Sequence, residues 1–374
     1  MTRRTAGEGM IRQRPNGLWE ARYTAADGRT HSIYRKTRRE ASDKLRAAIA
    51  DRDKGLRPVD QRLTTGAYLD DWLVHHVKPN VRATTYTSYE GIVRLYHKPA
   101  LGRIALARLE PEDVQRMLAA VSAKGVRGDL SPTTVRYCYS VLRIALGRAL
   151  KLGRVHRNVA TLIDAPAKVR TELQPFSAEQ VRGFLSTLTT DRRGVLYLTA
   201  LDTGLRQGEL LGLQWADLDL DGRRLMVRHT LQRGTGKLVE PKTDRARRNV
   251  SLPVYVTDAI REHRRRQLED RLAAGDRWRD RDLVFTTALG RPLDPRNVLR
   301  AYHAALAAAG LPRQPFHHLR HACATLLLES GEELANVSKI LGHADLGTTA
   351  DLYAHLTPGI ARRAADRMDS ILAG

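Results

Sequence analysis

Apolar and polar positions change rhythm along this chain, and each change predicts a change of structure. Near the amino end they alternate, around Leu18-Trp19-Glu20-Ala21-Arg22-Tyr23 and again around Thr30-His31-Ser32-Ile33-Tyr34. That is the period of half-buried strands, and Asp27-Gly28 between the two segments predicts a hairpin turn. From Thr37 to Ala50 the spacing becomes helical, with Ala41, Leu45, Ala48 and Ile49 on one side and Arg or Lys opposite. A small sheet covered on one face by one helix is expected. The polar run Asp53-Lys54-Gly55-Leu56-Arg57-Pro58 then reads as a linker.

From Thr64 to about Ala165 the rhythm is helical throughout. A helix over Thr65–His76 carries Tyr68, Leu69, Trp72 and Leu73 on one face, and Lys78-Pro79-Asn80 is expected to stop it. Thr84-Thr85 can cap a second, running through Tyr89, Ile92, Val93 and Tyr96. Pro111 stands at a first helical position ahead of Val114, Met117, Leu118 and Val121. Ser131-Pro132 opens a fourth, with Val135, Tyr139, Leu142, Leu146 and Ala149 as its stripe. A second linker is expected over Lys168–Pro175.

The remainder opens on Ser177-Ala178-Glu179-Gln180, a capping-box arrangement, and stays helical to Ala200. Alternating segments near Leu218–Leu220, Leu225–Val227 and Asn249–Leu252 predict a small antiparallel sheet. Helices resume after it, one of them at Asp294-Pro295, with three more before a partly amphipathic tail. The expected fold class is mainly α with small antiparallel sheets. The expected domains are 1–60 (sheet plus helix), 63–166 (all helical) and 175–374 (mixed, mostly helical), with no internal repeat.

Charge narrows the functions. Among 374 residues, 63 are Lys or Arg and 41 are acidic, for a formal net charge of +22. Such a chain repels itself unless its usual partner is a polyanion, and nucleic acid is the first candidate. No stretch has the length and apolarity of a membrane span, and Met1–Arg14 lacks the apolar centre of a signal peptide, so a cytoplasmic protein without a membrane partner is expected. Cys138 and Cys323 are the two cysteines and sit in apolar helical patterns, which predicts small core residues rather than a disulfide framework. Neither a phosphate-binding GxxxxGK[ST] loop nor a His/Cys cluster with ligand spacing occurs, so neither a cofactor nor a metal is expected.

Four features of the last region carry chemistry. In Thr203-Gly204-Leu205-Arg206-Gln207-Gly208-Glu209, Arg206 and Glu209 share one helical side after a glycine turn. Glu240-Pro241-Lys242-Thr243-Asp244 precedes the basic run of Arg245, Arg247 and Arg248, and predicts a hairpin tip bearing Lys242. Phe316-His317-His318-Leu319-Arg320 places His317 and Arg320 one helical turn apart. Leu341-Gly342-His343 is followed at short distance by Tyr353 and His355. Singly, each feature reads equally well as solvated charge or a surface ion pair.

Together and in this order they resemble the tyrosine recombinase, or phage integrase, family. Its motifs are an Arg in TGLR-x-x-E, a Lys on a sheet hairpin, an H-x-x-R pair, a His in LGH and a Tyr about ten residues on. Here those positions are Arg206, Lys242, His317 with Arg320, His343 and Tyr353. His318 stands where that family often has Asp. The resemblance implies an enzyme that breaks and rejoins DNA without metal or ATP, through a 3′-phosphotyrosyl intermediate on Tyr353, with Lys242 protonating the leaving 5′ oxygen.

Physical chemistry accounts for the residue types. A phosphodiester under in-line attack gains negative charge, which the planar forks of Arg206 and Arg320 suit. His317 and His343 can exchange protons near neutral pH, since their unperturbed pKa lies near ~6.5. Glu209 is expected behind the site, orienting catalytic Arg or His side chains, with surface pairing as its alternative. Arg245, Arg247 and Arg248 are expected as phosphate contacts, whereas His318, His321 and His355 are expected to be structural.

The resemblance further implies double-stranded attachment sites as substrate, a tetramer on DNA, and excisionase and DNA-bending proteins as accessory partners. The 1–60 unit looks like an arm-DNA-binding domain, or is a solubilising module. The 63–166 unit is expected to bind the core site. The tail with Ile360, Ala364, Met368, Ile371 and Leu372 packs on a neighbouring protomer or on its own domain. A type IB topoisomerase and a non-catalytic DNA-binding regulator are the rival functions.

Overall fold

The computed structural model describes residues 9–25, 28–55, 58–123, 130–168, 175–189, 191–241, 247–342, 368–370 and 372. The chain forms two compact units, Met1–Thr171 and Glu172–Gly374.

The first unit opens with an antiparallel sheet of β1 (Met10–Gln13), β2 (Trp19–Thr24) and β3 (Thr30–Arg35) in that spatial order. Strand β1 escaped the sequence pattern because only Ile11 of its four residues turns inward; pairing with β2 makes it a strand. Ala21 and Tyr23 on one sheet face pack against Ala41 and Leu45 of α1 (Arg38–Asp53). Helix α1 begins with a reciprocal capping box between Thr37 and Glu40. On the other sheet face, Glu20 is only 2% exposed. Arg12 Nε (2.7 Å), Arg14 Nε (2.8 Å) and the Tyr34 hydroxyl (3.1 Å) all donate to its carboxylate.

The helical part that follows has its own core, from Tyr68 to Ala160. Its first rod runs past His76 through the expected stop and ends on its last residue, Asn80. Helix α2 (Thr65–Trp72) passes through a widened π turn, Leu73–Val77, into α3 (Lys78–Asn80), so Pro79 lies inside the rod. Proline lacks an N–H and its ring clashes with the carbonyl four residues back. The π turn shifts bonding to i→i+5 and takes up that defect. The next rod repeats the device, from α4 (Ala83–Ile92) through a π turn at Val93–His97 to α5 (Lys98–Leu101) with Pro99 inside.

Arg82, not Thr84, stands at the N-cap position of α4, and its side chain makes no capping bond. The wider turn also moves the buried position from Tyr96 to His97, which is fully buried with Nε2 3.0 Å from the Cys138 carbonyl. Helices α6 (Pro111–Ala123) and α7 (Pro132–Lys151) complete the bundle, and the Tyr68 hydroxyl donates to the Ala145 carbonyl at 2.7 Å inside it. Cys138 is a buried free thiol there.

In the second unit, α8 (Ala178–Ser186) starts on the expected Ser177/Gln180 capping box, and α9 (Gly194–Thr203) ends at Gly204 with φ +60°. After α10 (Gln207–Leu211) come β4 (Leu218–Asp219), β5 (Arg224–Met226), β6 (Thr230–Leu231), β7 (Leu238–Val239) and β8 (Asn249–Ser251). Strands β4, β5 and β8 form one antiparallel sheet, and β6 with β7 a separate hairpin that the pattern did not predict.

Helices α11 (Val254–Ala274), α12 (Pro295–Ala308), α13 (His318–Glu329) and α14 (Leu334–Leu341) follow. Phe184, Tyr197, Tyr302 and Phe316 meet with ring centroids 5.4–6.2 Å apart at the centre of the core. Truncating one such buried ring typically costs about 3–5 kcal/mol. Cys323 is buried in α13, as expected. Among the described residues, no helix is long and apolar enough to cross a membrane.

Candidate functional site

The site is built where two helices, α9 and α14, end and two, α10 and α13, begin. Helix α9 ends at Gly204, whose left-handed backbone reverses the chain into Arg206. Arg206 is the N-cap of α10, with its side chain 41% exposed. Its backbone N–H donates to Glu209 Oε2 at 3.1 Å, and its Nη1 donates to Oε1 at 2.7 Å. Helix α10 sits hard against β6, since a Cβ on Gly212 would lie 2.7 Å from the Leu231 nitrogen. The β6–β7 hairpin therefore braces the helix that carries Glu209.

Glu209 is 3% exposed and is gripped from both sides. Opposite Arg206, Arg248 Nη2 stands 3.2 Å from Oε2, while Arg248 Nε donates to the Ile340 carbonyl at 2.6 Å. Burial pushes the Glu209 carboxyl up, but the charges of Arg248 and then Arg206 outweigh it and hold the group below its ordinary value. Glu209 is thus an ionised buried hinge between two arginines.

Arg320 lies in the first turn of α13 and is 1% exposed. Nη1 donates to the Gly204 carbonyl at 2.7 Å and Nη2 to the Leu341 carbonyl at 2.6 Å. One guanidinium thus ties the end of α9, two residues before Arg206, to the end of α14, two residues before His343. His317 caps α13 on an exposed edge, with its ring 4.8 Å from that of His321. Desolvation by its neighbours, then the charges of Arg320 and Arg206, push its imidazole down to about 4. His317 is therefore neutral at neutral pH. His318 Nδ1 lies 2.6 Å from Gln314 Oε1.

The structure so brings together Arg206, Glu209, His317 and Arg320, with Arg248 added. Arg248 was grouped in the sequence with exposed phosphate contacts, yet its side chain is 7% exposed and engaged inside. The signal for this was available: Arg248 borders the alternating run from Asn249, where a strand enters the core. Arg247 is half exposed and pairs with Glu240 at 2.8 Å. Lys242, Arg245, His343 and Tyr353, with the expected hairpin tip at Lys242 and the tail's docking, lie outside the described residues. The basic run Arg264–Arg266 is largely internal to α11 and its surroundings. Arg265 pairs with Glu262 and Glu269, Arg266 with Glu262, and Arg264 lies over the Trp215 ring.

Chemically, the arrangement joins a half-exposed guanidinium, a neutral imidazole and a buried guanidinium around one ionised carboxylate. It presents donors to an anion while its own acid is already neutralised.

Comparison with known proteins bears on this arrangement. The phage integrase family description matches residues 173–359, and that of the phage integrase N-terminal SAM-like domain matches residues 64–120. A "Tyrosine recombinase XerC-like" protein of Caldanaerobacter subterraneus subsp. tengcongensis is 31% identical, over 95% of this chain and 97% of the relative. An "Integrase" of Saccharopolyspora erythraea is 28% identical over 100% and 98%. Among solved structures, the fold is similar to the Tn1549 transposon integrase in complex with transposon right end DNA. There the TM-score is 0.68 at 23% identity, over 83% of this chain and 100% of that one. It is also similar to a lambda integrase tetramer bound to a Holliday junction, with TM-score 0.59 at 19% identity over 94% and 96%.

Proposed function

The chain belongs to the phage integrase family of tyrosine recombinases, and from that premise we propose that it integrates, and helps excise, a mobile element by cutting and rejoining DNA at specific sites. The observation that carries this reading is the meeting of Arg206 with His317 and Arg320, the last tied to the Gly204 carbonyl, two residues before Arg206, by a hydrogen bond spanning 116 residues of sequence. A solvated surface charge has no need of a buried carboxylate to hold it in place.

In the proposed reaction Arg206 and Arg320 bind the nonbridging oxygens of the scissile phosphate, and Glu209 with Arg248 fixes the Arg206 fork. Accepting the phosphate requires Arg320 to share donors that now meet the Gly204 and Leu341 carbonyls. The Tyr353 phenolic oxygen attacks phosphorus as its proton leaves to a neighbouring base. The bond to the 5′ oxygen breaks, and Lys242 gives that oxygen its proton. His317, neutral at working pH, takes or donates a hydrogen bond at the phosphate, and His343 is given the same role by its motif. The 3′-phosphotyrosyl bond retains the energy of the phosphodiester, so a 5′ hydroxyl from a partner duplex displaces Tyr353 and restores the DNA.

Residues 1–60 act as the arm-binding domain, 63–166 bind the core site and 175–374 carry the chemistry. Arg245 and Arg247 contact phosphate beside the site. The substrate is a pair of double-stranded attachment sites held by a tetramer, and excisionase and DNA-bending proteins set direction. The work takes place in the cytoplasm. The lambda integrase tetramer on a Holliday junction supports the assembly by similarity of fold.

The deciding experiment incubates the protein with nicked candidate-site DNA, which traps the covalent complex, and maps the attached residue. An adduct on Tyr353 at a 3′ phosphate is expected. DNA binding with no adduct turns the reading into that of a regulator, and an adduct on another residue overturns the assignment.

A further inference from the structure

Beside His317 opens a cleft of about 520 Å3, within the range of about 300–1,000 Å3 common to small-ligand sites. Leu299 and Phe316 give it an apolar wall, Arg233 and Arg313 line it with positive charge, and among the described residues no Asp or Glu lines it.

Both arginines are carried on braced supports. Arg233 opens the four-residue tip Arg233–Gly236 between β6 and β7, which is closed by a bond from the Gln232 N–H to the Lys237 carbonyl at 2.8 Å. That hairpin is the one seated on Gly212. Arg313 Nε donates to His303 Nδ1 at 3.1 Å, and His303 Nε2 lies 3.0 Å from the Gln314 carbonyl. For Nδ1 to accept, the ring proton sits on Nε2 and donates to that carbonyl, so one histidine fixes the arginine. Among the described residues, neither the Arg313 Nη pair nor Arg233 meets an acid or a hydrogen-bond acceptor.

An apolar wall, the Arg233 guanidinium and the Nη pair of Arg313, and a phosphodiester site next door suit one nucleotide. Its base would lie against Leu299 and Pro315, backed by the edge of Phe316, and its phosphate on Arg233 and Arg313. Strand exchange needs such a place. A freed 5′ end must leave its own complement before it pairs with another, and its unstacked base is costly to leave in water. We infer that this cleft receives an unpaired nucleotide of the cleaved strand, next to the scissile phosphate, during transfer between duplexes. The inference rests on the recombinase reading above.

The test uses the full chain with site DNA carrying 2-aminopurine at successive positions on either side of the cut. In the native protein, fluorescence rises at one or two positions flanking the cut. In the double variant Arg233→Ala, Arg313→Ala, both side chains being exposed, that rise is lost. Joining to a partner duplex then falls about tenfold or more, while covalent adduct formation stays within about threefold of native. An unchanged thermal midpoint shows that the variant is folded.

A flat fluorescence profile with normal adduct formation overturns the cleft. So does a loss of cleavage that matches the loss of joining, because that describes general attraction for phosphate. Absence of any adduct in the native protein instead overturns the recombinase reading, and the inference with it.

Discussion

Arg248 and Glu209 form an ion pair inside the molecule, Nη2 to Oε2 at 3.2 Å, with the two side chains 7% and 3% exposed. The same carboxylate holds Arg206 Nη1 at 2.7 Å, so the arginine that faces solvent is positioned by one that does not. Breaking a buried pair from one side strands the other charge, a loss of about 3–5 kcal/mol. Glu209→Ala is expected to lower stability by that order in urea unfolding and to abolish cleavage. Glu209→Gln keeps the shape and one acceptor, so its loss of stability is smaller while cleavage still falls. Native stability in Glu209→Ala would remove the hinge from the account.

Arg320 bridges two main-chain carbonyls that a single ammonium cannot reach together. In Arg320→Lys at least one buried carbonyl goes unpaired, at about 1–3 kcal/mol. A lower unfolding midpoint together with lost cleavage is expected. An unchanged midpoint would show that Arg320 ties nothing together.

Histidines whose proton affinity is lowered by burial make folding sensitive to mild acid, His97 and His317 most of all. Burial pushes His97 down to about 4, and His317 is held at about 4 by desolvation and its arginine neighbours. Each binds a proton more weakly in the folded chain than in the unfolded one, where the value is near ~6.5. Their stabilising contribution is full above pH ~6.5 and is lost as pH falls toward about 4. Below that, Glu209 and Glu20, both held under their ordinary values, add to the decline. Unfolding midpoints measured from pH 7 to 4 should fall, and His97→Leu should flatten part of the slope. Cleavage by native protein should show no His317 step near pH 6.5.

Tyr353→Phe should bind site DNA as the native chain does and yield no covalent adduct. Arg206→Lys should bind and lose about a hundredfold or more in cleavage, since a lysine cannot form the paired bonds of the fork. Trapped adduct in the first variant, or near-native cleavage in the second, contradicts the roles given to these residues.

Much of this was legible in the sequence because each signal was local. The capping box at Ser177 and Gln180, the turn at Gly204 and the spacing of Arg206 to Glu209 need only neighbouring residues, and all appear in the structure. What was hidden depends on partners far away. Strand β1 exists because β2 pairs with it. Arg248 looked like surface charge until Glu209, 39 residues earlier, was seen to meet it. The β6–β7 hairpin had a local signal after all, in Gly234 and Gly236, both at positive φ, but its short strands carry little alternation. Lys242, His343 and Tyr353 keep the standing the motifs gave them, since they lie outside the described residues.

The paired π turns have a consequence for how the helical bundle keeps its facing. Residues four apart drift about 40° around an ordinary helix with each step, because four exceeds the 3.6 residues of a turn. Yet Leu69, Leu73 and Val77 are all buried, as are Val93, His97 and Leu101. A looser coil absorbs the surplus, so each rod keeps its inward stripe in line. Deleting one residue from either coil would swing everything downstream by about a quarter of a revolution, and would turn Val77 or Leu101 toward water.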